Sequence, residues 1–450
     1  MVLYNLRIAL LSLRRNPVLS AVIVGGIALG IAVATVFSTT RHVFARDPIP
    51  GKSGVLYYVR MDSWDPLRPY PGNDVGGLPT QITYRDMAGI MKSDIPLRQS
   101  AMFLSSLYVF PDPNVGRPRR SPVRLCFSDF FPMFDVPFRF GSGWDKAADA
   151  GPEPVVVLNE EMNDTLFGGQ NSVGKTVRIE DREFRVVGVL AHWRPRVRFY
   201  DVTNNFFQPP EPVYMPFGWL RPMQLRTAGN SDGWGPAPST PGFEGLLVSE
   251  TCWLQMWVEL PTPARLAAYQ DFLNSYVQDQ KTHGRFQRPL NNRVTPLMAW
   301  LRERGVVPPE ATMLMIVSLL FLAVCSLNLM GLLLAKFLAR APEVGVRRAL
   351  GARRIDIFVQ HLVECEVVGL AGGALGLLLA KGGLAWLNAL MKTVLSAPNV
   401  TAGQDPRFFQ LDVPMTVYSV LLSLAAGLLA GVYPAWRICR AAPASHLKIQ

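Results

Sequence analysis

Three sets of residues in this chain have types and spacing that could do chemistry. Gly169-Gln-Asn-Ser-Val-Gly174-Lys175-Thr176 matches the phosphate-loop pattern. Such a loop holds phosphates only when a strand leads into it and a helix follows, so that helix N–H groups face the anion. Here the segment before it, Glu160 to Phe167, reads as a short helix, and Val177-Arg-Ile-Glu after it alternates as a strand. A glycine-rich turn into a hairpin is the better reading. The second set is polar groups inside apolar runs: Asn328, and Glu364 with Glu366. An amide there needs an interhelical bond, and carboxylates need water, an arginine or a polar neighbour. A structural hydrogen bond for Asn328 and pairing of the glutamates with nearby arginines are preferred over a proton relay. The third is sulfur. Cys126 and Cys252 fall in one polar block where a disulfide is open, though sequence cannot place them within bonding distance, while Cys325, Cys365 and Cys439 read as apolar packers. The five histidines are scattered without ligand spacing, and no nucleophile with a partnering base emerges. No catalytic residue, metal site or bound cofactor is expected in this chain.

What must position anything is the stretch Arg340-Ala-Pro-Glu-Val-Gly-Val-Arg-Arg-Ala-Leu-Gly-Ala-Arg-Arg354, set between two long apolar runs. Pro342 suits the first turn of a helix, Glu343 the positive end of its dipole, and Gly351 a left-handed stop after Leu350. The spacing predicts a short capped helix with Val344, Val346 and Leu350 as an apolar contact face. Arg347, Arg348, Arg353 and Arg354 put positive charge beside a membrane, which fixes that side as the cytoplasm. A basic loop that only sets topology is the plainer reading of such a stretch. The caps and the apolar face favour a docking element.

The composition agrees with a hybrid of membrane and aqueous parts. The chain has 450 residues, 49% of them hydrophobic, with a formal net charge of +11 and mean hydropathy of +0.17. That is too apolar for an ordinary soluble enzyme. The arginines gather at the ends of apolar runs, so membrane insertion explains them and nucleic acid is not an expected partner. Residues 1–17 read as an amphipathic helix on the cytoplasmic face, with Leu3, Leu6, Leu10 and Leu13 at helical spacing. Spans are expected over 18–40, 310–336, 355–391 and 414–434, with a cytoplasmic segment 337–354, a short external loop 392–413 and a cytoplasmic tail 435–450. The first apolar run is too long for a signal peptide and lacks a small-x-small cleavage site, so it reads as a retained anchor. Gly26 with Gly30, and Gly427 with Gly431, are small-xxx-small pairs for close helix packing.

Residues 41–309 contain no run able to cross, so they form an extracytoplasmic domain, away from cytoplasmic ATP. Its first part reads strand, helix, strand (54–62, 79–92, 98–110), and its last part repeats that order (251–260, 263–280, 288–301). Two such units predict a split α+β domain of ferredoxin-like type carrying a β-rich insertion over about 121–245. Inside the insertion, 155–158 reads as a strand, 176–190 as a hairpin, and 217–243 as irregular loop. The expected fold class is thus an α-helical membrane protein with four transmembrane helices plus a large extracytoplasmic α+β domain.

Four stretches taken together resemble one family. Glu343-Val-Gly-Val-Arg-Arg-Ala-Leu-Gly-Ala-Arg-Arg354 looks like the coupling segment of the FtsX-like, or MacB-type, ABC permeases. Asn5-Leu-Arg to Arg15-Asn-Pro, Leu166-Phe-Gly-Gly through Val187-Gly-Val, and Gly431-Val-Tyr-Pro-Ala-Trp-Arg are similar to the same family, in family order. The resemblance implies a non-enzymatic permease subunit without a fused ATPase, dimeric as a homo- or heterodimer, working with two copies of a separate cytoplasmic ABC ATPase that binds ATP and magnesium. It implies a multi-pass protein of the bacterial inner membrane with both termini cytoplasmic. It also implies mechanotransmission, in which ATPase dimerisation pushes on the helix from Glu343 to Leu350, with Gly351 closing it, and moves the external domains. Membrane lipid is a further partner, and a periplasmic adaptor or envelope protein is compatible with this scheme. A rival expectation is a sensor or scaffold whose external domain binds a ligand or envelope partner without nucleotide coupling. The substrate is not legible.

Overall fold

The computed structural model describes residues 17–71, 77–110, 118–204, 206–235, 240–395 and 409–440. The amphipathic helix expected before Pro17 and the tail holding Lys448 lie outside them. The chain divides into two units, Asp47–Val306 and the segments on either side of it.

The unit Asp47–Val306 is built on one mixed sheet. Its strands are β1 (Leu56–Arg60), β2 (Ile82–Thr83), β3 (Arg98–Phe110), β4 (Arg119–Cys126), β5 (Phe138–Gly141), β6 (Val155–Leu158), β7 (Thr176–Ile179), β8 (Arg182–Leu190), β9 (Val213–Pro216), β10 (Cys252–Glu259) and β11 (Arg293–Pro296). The order β11-β1-β10-β3, antiparallel at each step, is the split β-α-β arrangement the sequence predicts. The helices Tyr84–Ile90 and Pro263–Thr282 make its two crossovers. Tyr269, Leu273 and Val277, four residues apart, put one face of the longer helix into the core with Met87, Ile90 and Val59. β10 lies between β1 and β3 and is buried at every position.

The insertion continues this sheet from β3 through β4, β9, β6, β8 and β5. Its anchor is a buried ionic centre. Arg124 on β4 meets Asp201 at 2.5 Å and also pairs with Glu211, while Arg198 reaches Glu211 at 3.0 Å and Tyr200 Oη donates to it at 2.9 Å. Gln255 of β10 donates to Asp201 at 3.2 Å, tying the centre to the core strand. Burial would raise both carboxyl pKa values, but Arg124 and Arg198 hold Asp201 and Glu211 below the usual carboxylate range.

Several local expectations need correction. Residues 288–301 do not form one strand: β11 is short and the helix Leu297–Glu303 follows. Leu297, Trp300 and Leu301 share a helical face, and Trp300 stacks on Tyr58 at 4.2 Å. The stretch 217–243 is not wholly irregular. Phe217–Leu220 winds into a 3₁₀ turn that buries Phe217, Trp219 and Leu220, and a helix starts at Gly242. Cys126 and Cys252 are both free and buried. Cys126 sits opposite Met102 on β3, which separates β4 from β10, so the bridge left open by the sequence does not form.

The second unit has four helices long and apolar enough to cross a membrane: Pro17–Ala45, Pro309–Leu338, Arg354–Leu395 and Val413–Arg440. The third packs against the first and the fourth through glycines. A Cβ on Gly372 would lie 2.6 Å from Ile27, and one on Gly373 2.6 Å from Ser423. The expected glycine pairs pack as well: Gly30 against Leu322, Gly26 against Leu329, Gly427 against Cys365 and Glu366, and Gly431 against Cys365. Thr35 and Ser419 share a buried hydrogen bond of 2.8 Å between the first and fourth spans. The last helix does not stop before Pro434 but runs through it to Arg440. Ala435, Ile438 and Cys439 keep packing into the core beyond the proline, which offsets its lost N–H.

Candidate functional site

The helix Ala341–Ala349 starts three residues after the second span ends and finishes five before the third begins. Pro342 stands in its first turn with Glu343, and the Val344 N–H to Arg340 carbonyl bond of 3.2 Å closes that turn. At the other end Gly351 takes φ +98. Gly351 N–H donates to Arg348 O at 3.1 Å and Ala352 N–H to Arg347 O at 3.1 Å, the paired bonds of a Schellman stop.

Val344 faces inward and packs with Phe337, Ile357, Ile438 and Cys439 in the core of the bundle. It therefore does not share an outward contact face with its neighbours, and the apolar face presented to solvent is Val346, 53% exposed, with Leu350, 83% exposed. Side chains at positions four apart line one side of a helix, so this pair forms a single patch. Basic groups moor the helix. Arg347 donates to Gln360 at 3.2 Å and Arg348 to the Cys439 carbonyl at 3.4 Å, reaching the third and fourth spans.

A buried cluster lies at the helix's root. Glu364 on the third span meets Lys336 at 2.8 Å and Arg340 at 3.6 Å, with His361 Nδ1 at 3.7 Å. Lys336 ends the second span and Arg340 precedes the short helix, so one carboxylate holds both sides of the junction. Glu366 behaves differently from its neighbour and from the pairing expected for it. Two residues on, it points to another side of the helix, against Gly427. Its carboxylate oxygens are buried and make no hydrogen bond among the described residues. Asn328 also departs from expectation. It stands exposed on the second span, away from the buried Leu322, Ser326 and Leu329, and makes no interhelical bond within the described chain.

The phosphate-loop match falls in the other unit, between the helix Glu160–Phe167 and β7, with no helix after it. Lys175 Nζ lies over the Phe167 ring at 5.3 Å, an ordinary cation–π contact.

The model of the MacB-like periplasmic core domain matches residues 20–276, more than half of the chain. The chain belongs to this family. The model of the FtsX-like permease C-terminal region matches residues 315–443, which include the short capped helix. The macrolide export ATP-binding/permease protein MacB of Syntrophobacter fumaroxidans is 23% identical over 99% of this chain and 64% of its own length. The chain spans less than two thirds of that exporter, and 41% of the pyoverdine export ATP-binding/permease protein PvdT of Pseudomonas syringae, to which it is 24% identical over 70% of its own length. The uncharacterized ABC transporter permease YvrN of Bacillus subtilis is 22% identical, covering 85% of each chain. Among solved structures, the periplasmic region of MacB from Actinobacillus actinomycetemcomitans is 15% identical, with a TM-score of 0.35 over 56% of this chain and 94% of that one. This is an ABC permease of the MacB and FtsX kind, with membrane-spanning helices and a large periplasmic domain of α and β structure. Members of such a family work with an ATPase.

Proposed function

We propose that this permease couples ATP hydrolysis by a separate cytoplasmic ABC ATPase, present in two copies and itself holding ATP and magnesium, to motion of its periplasmic domain. It does so as one of two permease chains in a bacterial inner membrane, for export or for mechanical work on the envelope. The observation that carries the reading is the helix Ala341–Ala349: started by Pro342, stopped at Gly351, moored to the third and fourth spans, and offering Val346 and Leu350 outward. A lipid-anchoring or merely topological loop has no need of a stopped helix with an isolated apolar pair. The arginines 347, 348, 353 and 354 favour a cytoplasmic position for it, with both chain termini on the same side. Force applied at this helix has a short route into the spans through Arg340, Lys336 and Glu364. Catalysis then belongs to the partner, and no residue of this chain is assigned to it.

Affinity purification of the tagged full chain from its native membrane tests the reading. An ABC ATPase is expected to co-purify in near-equal amount. Recovery of the chain with periplasmic proteins but without any ATPase would favour a sensor or scaffold instead.

A further inference from the structure

Three spans meet on one short segment, Phe409 to Asp412, which leads into the fourth. The two carboxylate oxygens of Asp412 have different tasks. Oδ1 accepts the Met415 N–H at 3.1 Å and so caps the fourth span at the positive end of its dipole. Oδ2 faces the first span, with His42 Nε2 at 3.5 Å and Arg46 Nη1 at 3.4 Å. His42 and Arg46 are four residues apart, and the Arg46 N–H to His42 carbonyl bond of 3.0 Å continues the helical turn, so both side chains share the side turned to Asp412. Phe409 is buried. Its ring meets Phe44 of the first span edge-on at 5.6 Å, and its backbone exchanges two 3.0 Å bonds with Asn388 of the third. A lone exposed ion pair contributes little. Here the carboxylate is 19% exposed, meets two bases and is fixed by its own cap, while aromatic and amide contacts hold the same segment. Arg46 is also the last residue of the membrane unit before the chain enters Asp47–Val306.

We infer that Asp412 is a positioning residue for coupling: it clasps the start of the fourth span to the end of the first, so that displacement begun at the helix Ala341–Ala349 arrives at Arg46 and enters the external unit there. The route is short. The third span follows the helix after five residues, packs on the first through Gly372 and on the fourth through Gly373, and reaches the clasp through Asn388. Thr35 and Ser419 join the first and fourth spans again deeper in the bundle. The inference rests on the proposed coupling and names the link that carries movement out of the membrane. It assigns that role to the charge of Asp412 and not to its cap, because asparagine caps a helix about as well as aspartate does.

The test is hydrogen–deuterium exchange of the full chain with its co-purified ATPase in lipid nanodiscs, with and without ATP, for the native sequence and for D412N. Two regions are read: the helix Ala341–Ala349 and residues 47–60, where the external unit begins. In the native complex ATP is expected to change exchange in both. D412N keeps the cap, so its melting temperature, its ATPase recovery and the response of the helix should be unchanged, while the response over 47–60 falls several-fold. H42Q with R46Q should give the same loss, and adding D412N to that pair should lower the response no further, since all three act through one contact. A D412N complex whose response over 47–60 equals the native one overturns the inference and leaves the proposed coupling standing. A D412N chain that melts lower and loses both responses shows a merely structural contact and also overturns it. No ATP response at the helix in the native complex overturns the coupling, and this inference with it.

Discussion

At the scale of single residues, two buried charge clusters make the sharpest claims. Lys336 and Glu364 have side chains 1% and 2% exposed, so removing Glu364 leaves the buried Lys336 ammonium without a carboxylate among the described residues. E364Q should cost about 3 to 5 kcal/mol, the range for breaking a buried pair, read as a lower melting temperature of the detergent-solubilised chain. The exchange K336E with E364K should recover only part of that loss, because Arg340, 3.6 Å from the Glu364 carboxylate, would then face a second cation. In the other unit, Asp201 and Glu211 have pKa values depressed by Arg124 and Arg198 despite burial. A depressed carboxyl stabilises the fold above its unfolded value and loses that stabilisation as the pH falls through its folded value. Stability of the external domain should thus hold down to about pH 4, the unfolded carboxylate range, and decline below it. R124M should unfold the domain more readily at neutral pH and flatten this acid dependence, followed by tryptophan fluorescence. Lys175 is the contrary case: K175A should leave hydrolysis by an assembled complex unchanged, because its partner is the Phe167 ring and no helix follows it to bind phosphate.

At the scale of elements, the sequence was most readable where local chemistry and tertiary demand agree. β3 runs over 98–110 as the strand, helix, strand reading predicts, the Glu160–Phe167 helix sits between Asn159 and a left-handed Gly168, and Gly351 stops the short helix as its type implies. Long-range demands were less visible. Val344 and Val346 look alike in sequence, yet one is buried by Phe337 and Ile438, both from other helices, and the other is not. The Lys336 to Glu364 contact joins residues from two spans, and no spacing rule marks it. The signal for the third span's packing role was present but unread: Gly369, Gly372, Gly373 and Gly376 line the faces it turns to the first and fourth spans. G372L should clash with Ile27 and sharply reduce the monodisperse fraction in detergent. G382L, where a Cβ meets nothing within 4 Å, should be tolerated by the same measurement.

At the scale of the whole molecule, the proposed coupling requires Asn230 to be reached from outside the membrane and Ala352 from the cytoplasm. A membrane-impermeant thiol reagent should label a single cysteine placed at Asn230 in intact cells and spare one placed at Ala352; reversed labelling would invert the topology. The central claim is that the helix Ala341–Ala349 passes force from an ATPase, and its exposed pair offers the most direct test. Burying Val346 and Leu350 in a partner contributes at most about 1.5 to 3 kcal/mol each, less the entropy of association. Aspartate at both positions replaces that gain with a desolvation cost. Loss of Arg347 and Arg348 should act more weakly and depend on salt, since exposed charges are screened. ATPase recovery and permease-stimulated hydrolysis, measured at matched membrane levels, decide the matter. V346D with L350D is expected to lose the ATPase or leave it unstimulated; a double variant that retains its ATPase at full activity would contradict coupling through this helix.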